Sequence, residues 1–346
     1  MAAVGKMPAE WEKHERTLIQ WPVRESLVHP KNYEEVCEGY AAVVRAAAEF
    51  EPVTVIADRE TAVQAANLCG EGVEIFTAPH SDAWVRDSGP TIVRDSNGSR
   101  LGVRWQFNAW GEKYTPYEPD HEATRAVLEH LKIPRIDAPI VLEGGSIHTD
   151  GQGTLLTTEQ CLLNPNRNPN LSRQKIENTL REFLGVEKII WLKRGLAGDE
   201  TDGHVDNLAC FAKPGTVIWQ VCNDPEDENY AITQENRNIL RAARDAHGRA
   251  LKLIEIPQPP ARCYNGTRLT LSYLNFYLVN GGLILPIFGG DAAKTDEAAI
   301  KILQEVFPGR KIKTVDGIPL VREGGNVHCI TQQIPAKCQN AKEADT

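Results

Sequence analysis

The chain has 346 residues, with 38 Lys and Arg against 47 Asp and Glu, and therefore a formal charge of −9 at pH 7. A hydrophobic content of 41% and a charged content of 25% are typical of a globular chain that buries a core, which excludes extensive disorder. Affinity for phosphate depends on clustered Lys and Arg, so the acidic balance excludes nucleic acid as an expected partner. An acidic surface instead favours cationic ligands.

The cysteines and the most apolar segment bear on the compartment. Eight cysteines are scattered without a CxxC pair, which predicts neither a disulfide scaffold nor a zinc ribbon. The first 16 residues lack the apolar core of a secretory signal, and the apolar residues 271–290 are broken by Asn, Gly and Pro into two buried strands around a turn. We therefore expect a soluble, cytoplasmic protein with no membrane partner. Cys338 is expected to be exposed in a polar tail.

Apolar, β-rich runs alternate with amphipathic helical stretches along the chain, which predicts an α/β fold. Ser172 and Thr295 are the predicted N-caps of two of the helices. The predicted helices cover residues 33–50, 120–131, 172–184, 229–246 and 295–307. The short strands that follow them are predicted at residues 53–57, 140–142, 188–192, 251–256 and 311–315.

The turns that follow these strands resemble one another. They contain the segments WVRDSGPTIV, LEGGSIH, DGHVDNLACF, SYLNFYLVNGG and REGGNVHC. One marker from each turn gives steps of 58, 59, 72 and 49 residues, a period typical of a cyclic array of supersecondary units. The markers are Asp87, Gly145, His204, Phe276 and Gly325. Closure would pair residues 329–331 with a strand at residues 17–21 and bring the turns to one mouth. Chance alternation of strands and helices would give a similar rhythm, so that alternative stays open.

Cys329 is the candidate nucleophile. It follows His328 in GGNVHCITQQ, where two preceding glycines allow a ligand or another chain to approach the backbone closely. A free cysteine is more often a small buried hydrophobic residue, and Cys161 and Cys210, in apolar surroundings, fit that interpretation better.

His204 and Asp206, in the segment GHVD, are the candidate acid/base pair. On a predicted strand, alternation places both side chains on the same face. A carboxylate that orients a histidine is the usual way to hold a general base in one tautomer. A purely structural His–Asp hydrogen bond is the alternative. Zinc ligation by His204 and His328 would need further ligands that no motif supplies.

Several carboxylates would converge on the same mouth. Asp87 and Glu143 occupy equivalent Gly-flanked turns, and Glu200 lies four residues before His204. Each alone is typical of a cap or a solvated turn. Crowded together they require a cation, and a planar guanidinium matches carboxylates in a bidentate manner. The pattern indicates a guanidinium substrate attacked by a thiol. Walker, dinucleotide-binding and GxSxG motifs, which would indicate other enzyme classes, are absent from the sequence.

Seven blocks of the sequence, in one order, resemble the agmatine deiminase family of the guanidine-modifying, or pentein, superfamily. The blocks are MPAEWEKHERTLIQWP, AWVRDSGPT, FNAWG, LEGGSIHTDGQGTLLTTEQCLLNPNRNP, GHVDNLACFAKPG, SYLNFYLVNGGLILP and GGNVHCITQQIP. The resemblance implies a five-bladed α/β propeller of ββαβ-like units with pseudo-fivefold symmetry around a central active-site channel. It implies one catalytic domain over residues 1–346. The approximate units are 17–78, 84–139, 140–192, 203–257 and 271–315, with residues 322–335 closing the ring.

The resemblance also assigns roles. It implies that Cys329 is the nucleophile and His204 the general acid/base. Asp206 and Asp87 would hold the guanidinium, and Glu143 would orient His204. Glu200 and Trp84 would line the substrate channel. Glu323 departs from the family pattern, which carries a third glycine there.

The implied reaction is hydrolysis of agmatine to N-carbamoylputrescine and ammonia through a covalent amidino-thioether on Cys329. No cofactor or metal is expected, and family analogy implies a homo-oligomer, specifically a dimer. The alternatives are arginine deimination or amidino transfer, a catalytically silent protein that binds a polyamine or a protein, and metal-dependent amidine hydrolysis. Trp105 and Trp110 are expected to pack in the core rather than to form an interface.

Overall fold

One supersecondary unit recurs along the chain. The computed structural model describes residues 3–24 and 32–337. In that part of the chain, five sheets contain two antiparallel strands and a further strand, reached through a helix, that pairs parallel with one of them. The predicted α/β class and ββαβ-like order are therefore confirmed. The numbered division into units stays a prediction.

The first two units span the N-terminal part of the chain. The first contains β1 (His14–Gln20), α1 (Tyr33–Ala48), β2 (Val53–Ala57), α2 (Ala62–Cys69) and β3 (Glu74–Thr77). The second contains α3 (Val85–Ser88), β4 (Thr91–Arg94), β5 (Arg100–Gln106), α4 (Ala109–Glu112), α5 (Glu118–His130) and β6 (Arg135–Val141). The sequence did not predict α2 and β3, which extend the first sheet on its outer side.

The third and fourth units each begin with a 3₁₀ turn. The third contains the turn Gly144–Ser146, β7 (Ile147–Thr149), β8 (Thr154–Thr158), α6 (Glu159–Leu162), α7 (Arg173–Leu184) and β9 (Lys188–Leu192). The fourth contains the turn Val205–Asn207, β10 (Ala209–Lys213), β11 (Thr216–Val221), α8 (Glu228–Ala242) and β12 (Lys252–Pro257).

A small hairpin precedes the fifth unit, which leads back to the first sheet. The hairpin is β13 (Cys263–Tyr264) and β14 (Thr267–Arg268). The unit contains β15 (Tyr277–Val279), β16 (Gly282–Ile287), the 3₁₀ turn Gly290–Ala292, α9 (Ala293–Val306) and β17 (Lys311–Asp316). It is followed by α10 (Ile318–Val321) and β18 (Gln332–Pro335). The predicted pair of buried strands within residues 271–290 is confirmed as the antiparallel pair β15–β16.

The two ends of the described chain pair in one sheet. Strand β18 is antiparallel to β1, with Leu18 opposite Gln332 and Thr17 opposite Gln333. Closure therefore occurs, but the prediction that residues 329–331 form the closing strand is wrong. Those residues belong to a turn in which the Ile330 N–H bonds the carbonyl of Asn326. The pairing begins only after this turn, at Gln332.

Two further local predictions are corrected. The prediction that His204 and Asp206 lie on one strand is wrong, because Gly203 adopts a φ of +89° and a 3₁₀ turn follows before β10 begins. Ser172 is an N-cap as predicted, and its hydroxyl accepts from the Lys175 N–H. Thr295 is not: it lies inside α9, where its hydroxyl donates to the carbonyl of Ala292 at 2.8 Å.

The hydrophobic core lies between the sheets and the helices that connect their strands. In α1, for example, apolar side chains recur at helical spacing and are buried. Trp105 and Trp110 are both buried, as predicted. None of the helices in the described residues combines the length and apolar character of a membrane span. Cys338 lies outside the described residues.

Candidate active site

Four short turns meet at one point and carry the candidate residues. They are α3, the 3₁₀ turns Gly144–Ser146 and Val205–Asn207, and the turn at residues 326–331. Gly145 lies among them. A Cβ atom at Gly145 would stand 2.6 Å from Nδ1 of His204 and 2.9 Å from carboxylate oxygens of Asp87 and Asp206. The three side chains can therefore approach one another only because residue 145 has no side chain.

Cys329 is buried and lines a narrow cavity. Its Sγ accepts a hydrogen bond from Nδ2 of Asn275 at 3.2 Å and lies 3.6 Å from Oδ2 of Asp206. Burial, together with the charges of Asp206 and Asp87, raises the pKa of the Cys329 thiol well above its usual range. The uncharged thiol is therefore the resting form of this residue.

His204 is buried between two carboxylates. Its Nδ1 lies 3.8 Å from Oδ1 of Asp87, and its Nε2 lies 3.8 Å from Oε2 of Glu143. Burial lowers the pKa of His204, but Asp87, Cys161 and Glu143 outweigh it and raise the pKa well above the usual value. Nε2 has no hydrogen-bond partner among the described residues. The protonated imidazole is thus the resting form, which can donate a proton at neutral pH.

Glu143 is held on its other side by Arg167. Its Oε1 accepts a hydrogen bond from Nε of Arg167 at 2.6 Å, and Nη1 of Arg167 also bonds Oδ2 of Asp202 at 2.7 Å. Burial raises the pKa of Glu143, but His204 and Arg167 lower it below the usual value. Glu143 therefore stays ionised and presents Oε2 to His204.

Asp87 accepts two hydrogen bonds that fix its carboxylate. The Gly145 N–H donates to Oδ1 at 2.9 Å, and Nε1 of Trp110 donates to Oδ2 at 2.8 Å. Burial raises the pKa of Asp87, and the negative charges of Asp206 and Glu143 add to this, against the opposing effect of His204. A bound cation would therefore be especially favourable here.

Asp206 belongs to a buried chain of charges beneath Cys329. Nδ1 of His328 lies 3.0 Å from Oδ2 of Asp206, and Nε2 of His328 lies 3.0 Å from Oε1 of Glu10. Glu10 also lies 3.4 Å from Nη1 of Arg86. Burial raises the pKa of Asp206, but His328 outweighs it and lowers the pKa. Asp206 is thus ionised, and its Oδ1 has no hydrogen-bond partner in the described part of the chain.

The mouth of the cavity carries an aromatic wall and two further carboxylates. Trp84 lines the cavity beside Cys329, and Glu200 and Glu323 line both this cavity and a larger one next to it. A Cβ atom at Gly325 would stand 2.4 Å from the Trp84 ring and 3.0 Å from Cβ of Cys329, so a glycine is required for this approach. Oε2 of Glu200 accepts a hydrogen bond from the Tyr114 hydroxyl at 2.9 Å, and burial of the carboxyl group raises its pKa.

Comparison with known proteins places the chain in a family. Residues 6–335 match the model of the Porphyromonas-type peptidyl-arginine deiminases. The chain belongs to this family. It is 46% identical over 358 residues to the agmatine deiminase of Stutzerimonas stutzeri, a match that covers 95% of both chains.

Solved structures of the family share the fold. The agmatine deiminase of Enterococcus faecalis superposes with a TM-score of 0.90 at 34% identity, covering 96% of both chains. A cysteine-to-serine variant of C. jejuni agmatine deiminase, solved with substrate bound, gives a TM-score of 0.88 at 32% identity and covers 97% of both chains. The pentein fold expected from the sequence is confirmed by these matches.

The predicted site residues of this family member fall into two groups. One buried cluster contains Cys329, His204, Asp206, Asp87 and Glu143. Trp84 and Glu200 line the same cavity as Cys329 and Asp87.

Other residues of the site were not predicted. Asn275 and Trp110 bond the predicted side chains directly, whereas Glu10 and Arg167 act one step behind them. The one feature of the sequence that could have indicated these four residues is that each lies in a block that resembles the family. His328, considered as a zinc ligand together with His204, instead lies between Asp206 and Glu10.

One group of side chains in the described residues has the geometry to hold a metal ion. The candidate ligand atoms of Glu143, Cys161 and His204 all lie within 4.8 Å of one another, and all three residues are buried. The group contains the predicted acid/base but not Cys329.

Proposed function

We propose that the protein is an agmatine deiminase that hydrolyses the guanidinium of agmatine to N-carbamoylputrescine and ammonia. The observation that carries the proposal is the pairing of a buried thiol with buried carboxylates. Sγ of Cys329 lies 3.6 Å from Asp206, and Asp87 raises the pKa of the same thiol. The family membership and the agmatine deiminases among its relatives support the same activity.

The guanidinium would bind between Asp206 and Asp87. Oδ1 of Asp206 lacks a partner in the described chain, and Asp87 has a raised pKa that a neighbouring cation would reverse. Two carboxylates that grip the terminal nitrogens would fix the central carbon in line with Cys329. The ion pairs between the guanidinium and the two carboxylates would thus both position the central carbon and keep the guanidinium in its cationic, more electrophilic form.

Substrate binding would also prepare the nucleophile. The Cys329 thiol is protonated at rest because of burial and the adjacent negative charges. A bound guanidinium neutralises those charges, so the thiol can release its proton to solvent and the thiolate forms only when substrate is present. Nδ2 of Asn275, 3.2 Å from Sγ, would stabilise the thiolate by a hydrogen bond.

The reaction would then proceed in two halves. The thiolate attacks the guanidinium carbon and forms a tetrahedral adduct. His204, protonated at rest, gives its proton to the departing nitrogen, ammonia leaves, and an amidino-thioether remains on Cys329. His204 then takes a proton from water and is again protonated, and the hydroxide adds to the same carbon. The carbon–sulfur bond breaks, the added hydroxyl gives its proton to the leaving sulfur, and the ureido product is released with the Cys329 thiol restored.

The mouth of the cavity favours a substrate with a second positive charge. Glu200 and Glu323 line the cavity that contains Cys329 and Asp87 and also the larger cavity next to it. They would attract the terminal ammonium of agmatine, whereas they would repel the α-carboxylate of arginine. Trp84 would pack against the aliphatic part between the two ends.

The decisive experiment compares Cys329→Ser with the unchanged protein. We expect ammonia release from agmatine to be abolished, while calorimetry still detects agmatine binding, because the carboxylates remain. Mass analysis of the unchanged protein during turnover should show an amidino adduct on Cys329. The exposed Cys263 provides the matched control, since Cys263→Ser should retain turnover. Turnover by Cys329→Ser, or faster ammonia release from arginine than from agmatine, would contradict the proposal.

The assembly and compartment are further parts of the proposal. The family resemblance supports a homodimer, which sedimentation of the purified protein would test. Seven cysteines of the described chain are free, which supports a reducing compartment such as the cytoplasm. Fractionation of cells that express the tagged protein would test the compartment.

A further inference from the structure

The cluster behind His204 contains a second buried thiol that the proposed reaction does not use. Sγ of Cys161 lies 3.8 Å from Oε2 of Glu143, and the same oxygen lies 3.8 Å from Nε2 of His204. All three side chains are buried. A thiol, an imidazole and a carboxylate are the three donor types that bind Zn²⁺ in proteins.

The spacing of the three atoms fits one small cation. Two of the interatomic distances are 3.8 Å and the third does not exceed 4.8 Å. A cation equidistant from all three atoms would lie about 2.1 to 2.5 Å from each, close to the ~2.0–2.3 Å bonds that zinc makes with these donors. The site therefore requires only small side-chain shifts to close around a metal.

The imidazole is also oriented for a metal. Nε2 of His204 has no hydrogen-bond partner among the described residues although it is buried. The other ring nitrogen, Nδ1, lies 3.8 Å from Oδ1 of Asp87, so a carboxylate stands on the side of the ring opposite the candidate ligand atom, where carboxylate–histidine–metal triads also place one. Arg167 binds the far oxygen of Glu143, so it leaves Oε2 available.

We propose that Glu143, Cys161 and His204 form an inhibitory site for a borderline-soft divalent cation such as Zn²⁺. Binding releases two protons to solvent, one from the Cys161 thiol and one from Nε2 of the protonated His204, and the metal takes the resulting thiolate and the freed Nε2 lone pair.

The consequence for activity follows from the role of His204. A metal on Nε2 prevents the imidazole from donating or accepting the proton that the proposed reaction needs. This part of the inference rests on the proposed function, whereas metal binding itself does not. The thiol of Cys329 could also bind a soft metal. The experiment must therefore distinguish metal binding at Cys161 from metal binding at Cys329.

Cobalt provides a probe that reports the thiolate directly. In the full-length Cys329→Ser protein, titration with Co²⁺ should produce a thiolate-to-cobalt charge-transfer band that saturates at one equivalent. The band should disappear when Cys161→Ser, or Cys161→Ala if the serine variant folds poorly, is added. Cys263→Ser in the same background is the matched control and should retain the band. Absence of the band in Cys329→Ser, or its persistence without Cys161, would overturn the proposal.

Inhibition gives an independent readout in the protein that keeps Cys329. Zn²⁺ should inhibit ammonia release, and a chelator should restore it. Relative to its own uninhibited rate, Cys161→Ser should require at least about tenfold more Zn²⁺, since one of the three ligands is lost. An unchanged inhibition constant in Cys161→Ser would assign the inhibition to Cys329 and overturn the inhibitory role. If agmatine is not a substrate, the cobalt titration still tests the metal site.

Discussion

The individual charges of the site are each countered by a specific partner. His328 lies against Asp206 and Glu10, and Arg167 lies against Glu143. Removing one member of such a buried pair leaves an uncompensated charge, which costs far more than the pair contributes. Among the three carboxylates of the buried cluster, Asp87 differs from Glu143 and Asp206, because its pKa is raised rather than lowered. We infer that this carboxylate is the one most improved by a bound guanidinium.

The hydrogen bond from Trp110 to Asp87 gives the first prediction. Trp110→Phe keeps an aromatic ring but removes the donor to Oδ2. A hydrogen bond to a charged group contributes about 1.5–3 kcal/mol, so we expect kcat/KM for agmatine to fall about tenfold or more, mainly through KM. Steady-state assay of ammonia release measures this.

Trp105 offers a matched control for that substitution. Its Nε1 donates to the uncharged Thr91 hydroxyl at 2.9 Å, in a different part of the core. Trp105→Phe should lower stability by about 1 kcal/mol and leave kcat/KM within about twofold. If both variants lose activity equally, the loss in Trp110→Phe results from disturbed core packing and not from the missing hydrogen bond to Asp87.

The contact between His328 and Asp206 gives a pH-dependence prediction. His328 lowers the pKa of Asp206, so in the unchanged protein the carboxylate stays ionised until the pH falls through that lowered value. In His328→Asn the positive charge is gone, the pKa of Asp206 rises, and protonation occurs at higher pH. The acid limb of kcat/KM should therefore move to higher pH.

The control for this profile is His80, a buried histidine. Its two ring nitrogens lie within hydrogen-bond distance of the backbone carbonyls of Ala78 and Trp21, which are uncharged. His80→Asn should leave the acid limb in place. If His328→Asn lowers kcat/KM equally at every pH, its role is structural and the charge argument is wrong.

At the scale of elements, the turns rather than the helices and strands build the site. Three of these turns can meet only because residue 145 is a glycine. A side chain there would occupy the space into which His204, Asp87 and Asp206 project. In Gly145→Ala the added methyl group would force these groups apart. Misplacement by about 1 Å costs on the order of a hundredfold in rate, so we expect kcat/KM to fall by at least that factor.

Gly309 is the matched control for the added methyl group. No heavy atom of the described residues lies within 4 Å of a Cβ atom placed there. Gly309→Ala should retain both activity and melting temperature. Near-normal activity of Gly145→Ala would show that the turns can adjust, and would contradict the geometric argument.

The same elements show how far the sequence could predict this protein. Helix and strand positions followed from apolar periodicity, as for β2 and β9, which were predicted at their observed bounds. The segment GHVD was misassigned because Gly203 breaks the extended path at a positive φ, and a single sequence does not distinguish that turn from a strand. The contact between Glu10 and His328 joins residues 318 positions apart, so no local spacing could reveal it. Such contacts follow from how the sheets pack, not from the pattern within any one of them.

At the scale of the whole molecule, the site depends on joining the two ends of the described chain. Strand β18 follows the turn of Cys329 directly and pairs with β1, while Glu10 lies just before β1. Cys329 and Glu10, which contacts His328, are therefore placed by one sheet. Loss of that sheet would separate Cys329 and His328 from Glu10, and from Asp206 in the fourth unit.

This dependence predicts that the closing strand controls both stability and activity. Ile334 of β18 is fully buried and packs in the cluster that contains Leu18 of β1. Ile334→Ala should lower the free energy of unfolding by about 2–5 kcal/mol, whereas Val63→Ala, at a side chain that is 71% exposed, should change it by less than about 0.5 kcal/mol. In urea titrations, circular dichroism and ammonia release should be lost at the same concentration in each variant. If activity disappears well before the circular dichroism changes, the closing sheet opens locally, and the remaining sheets do not depend on it.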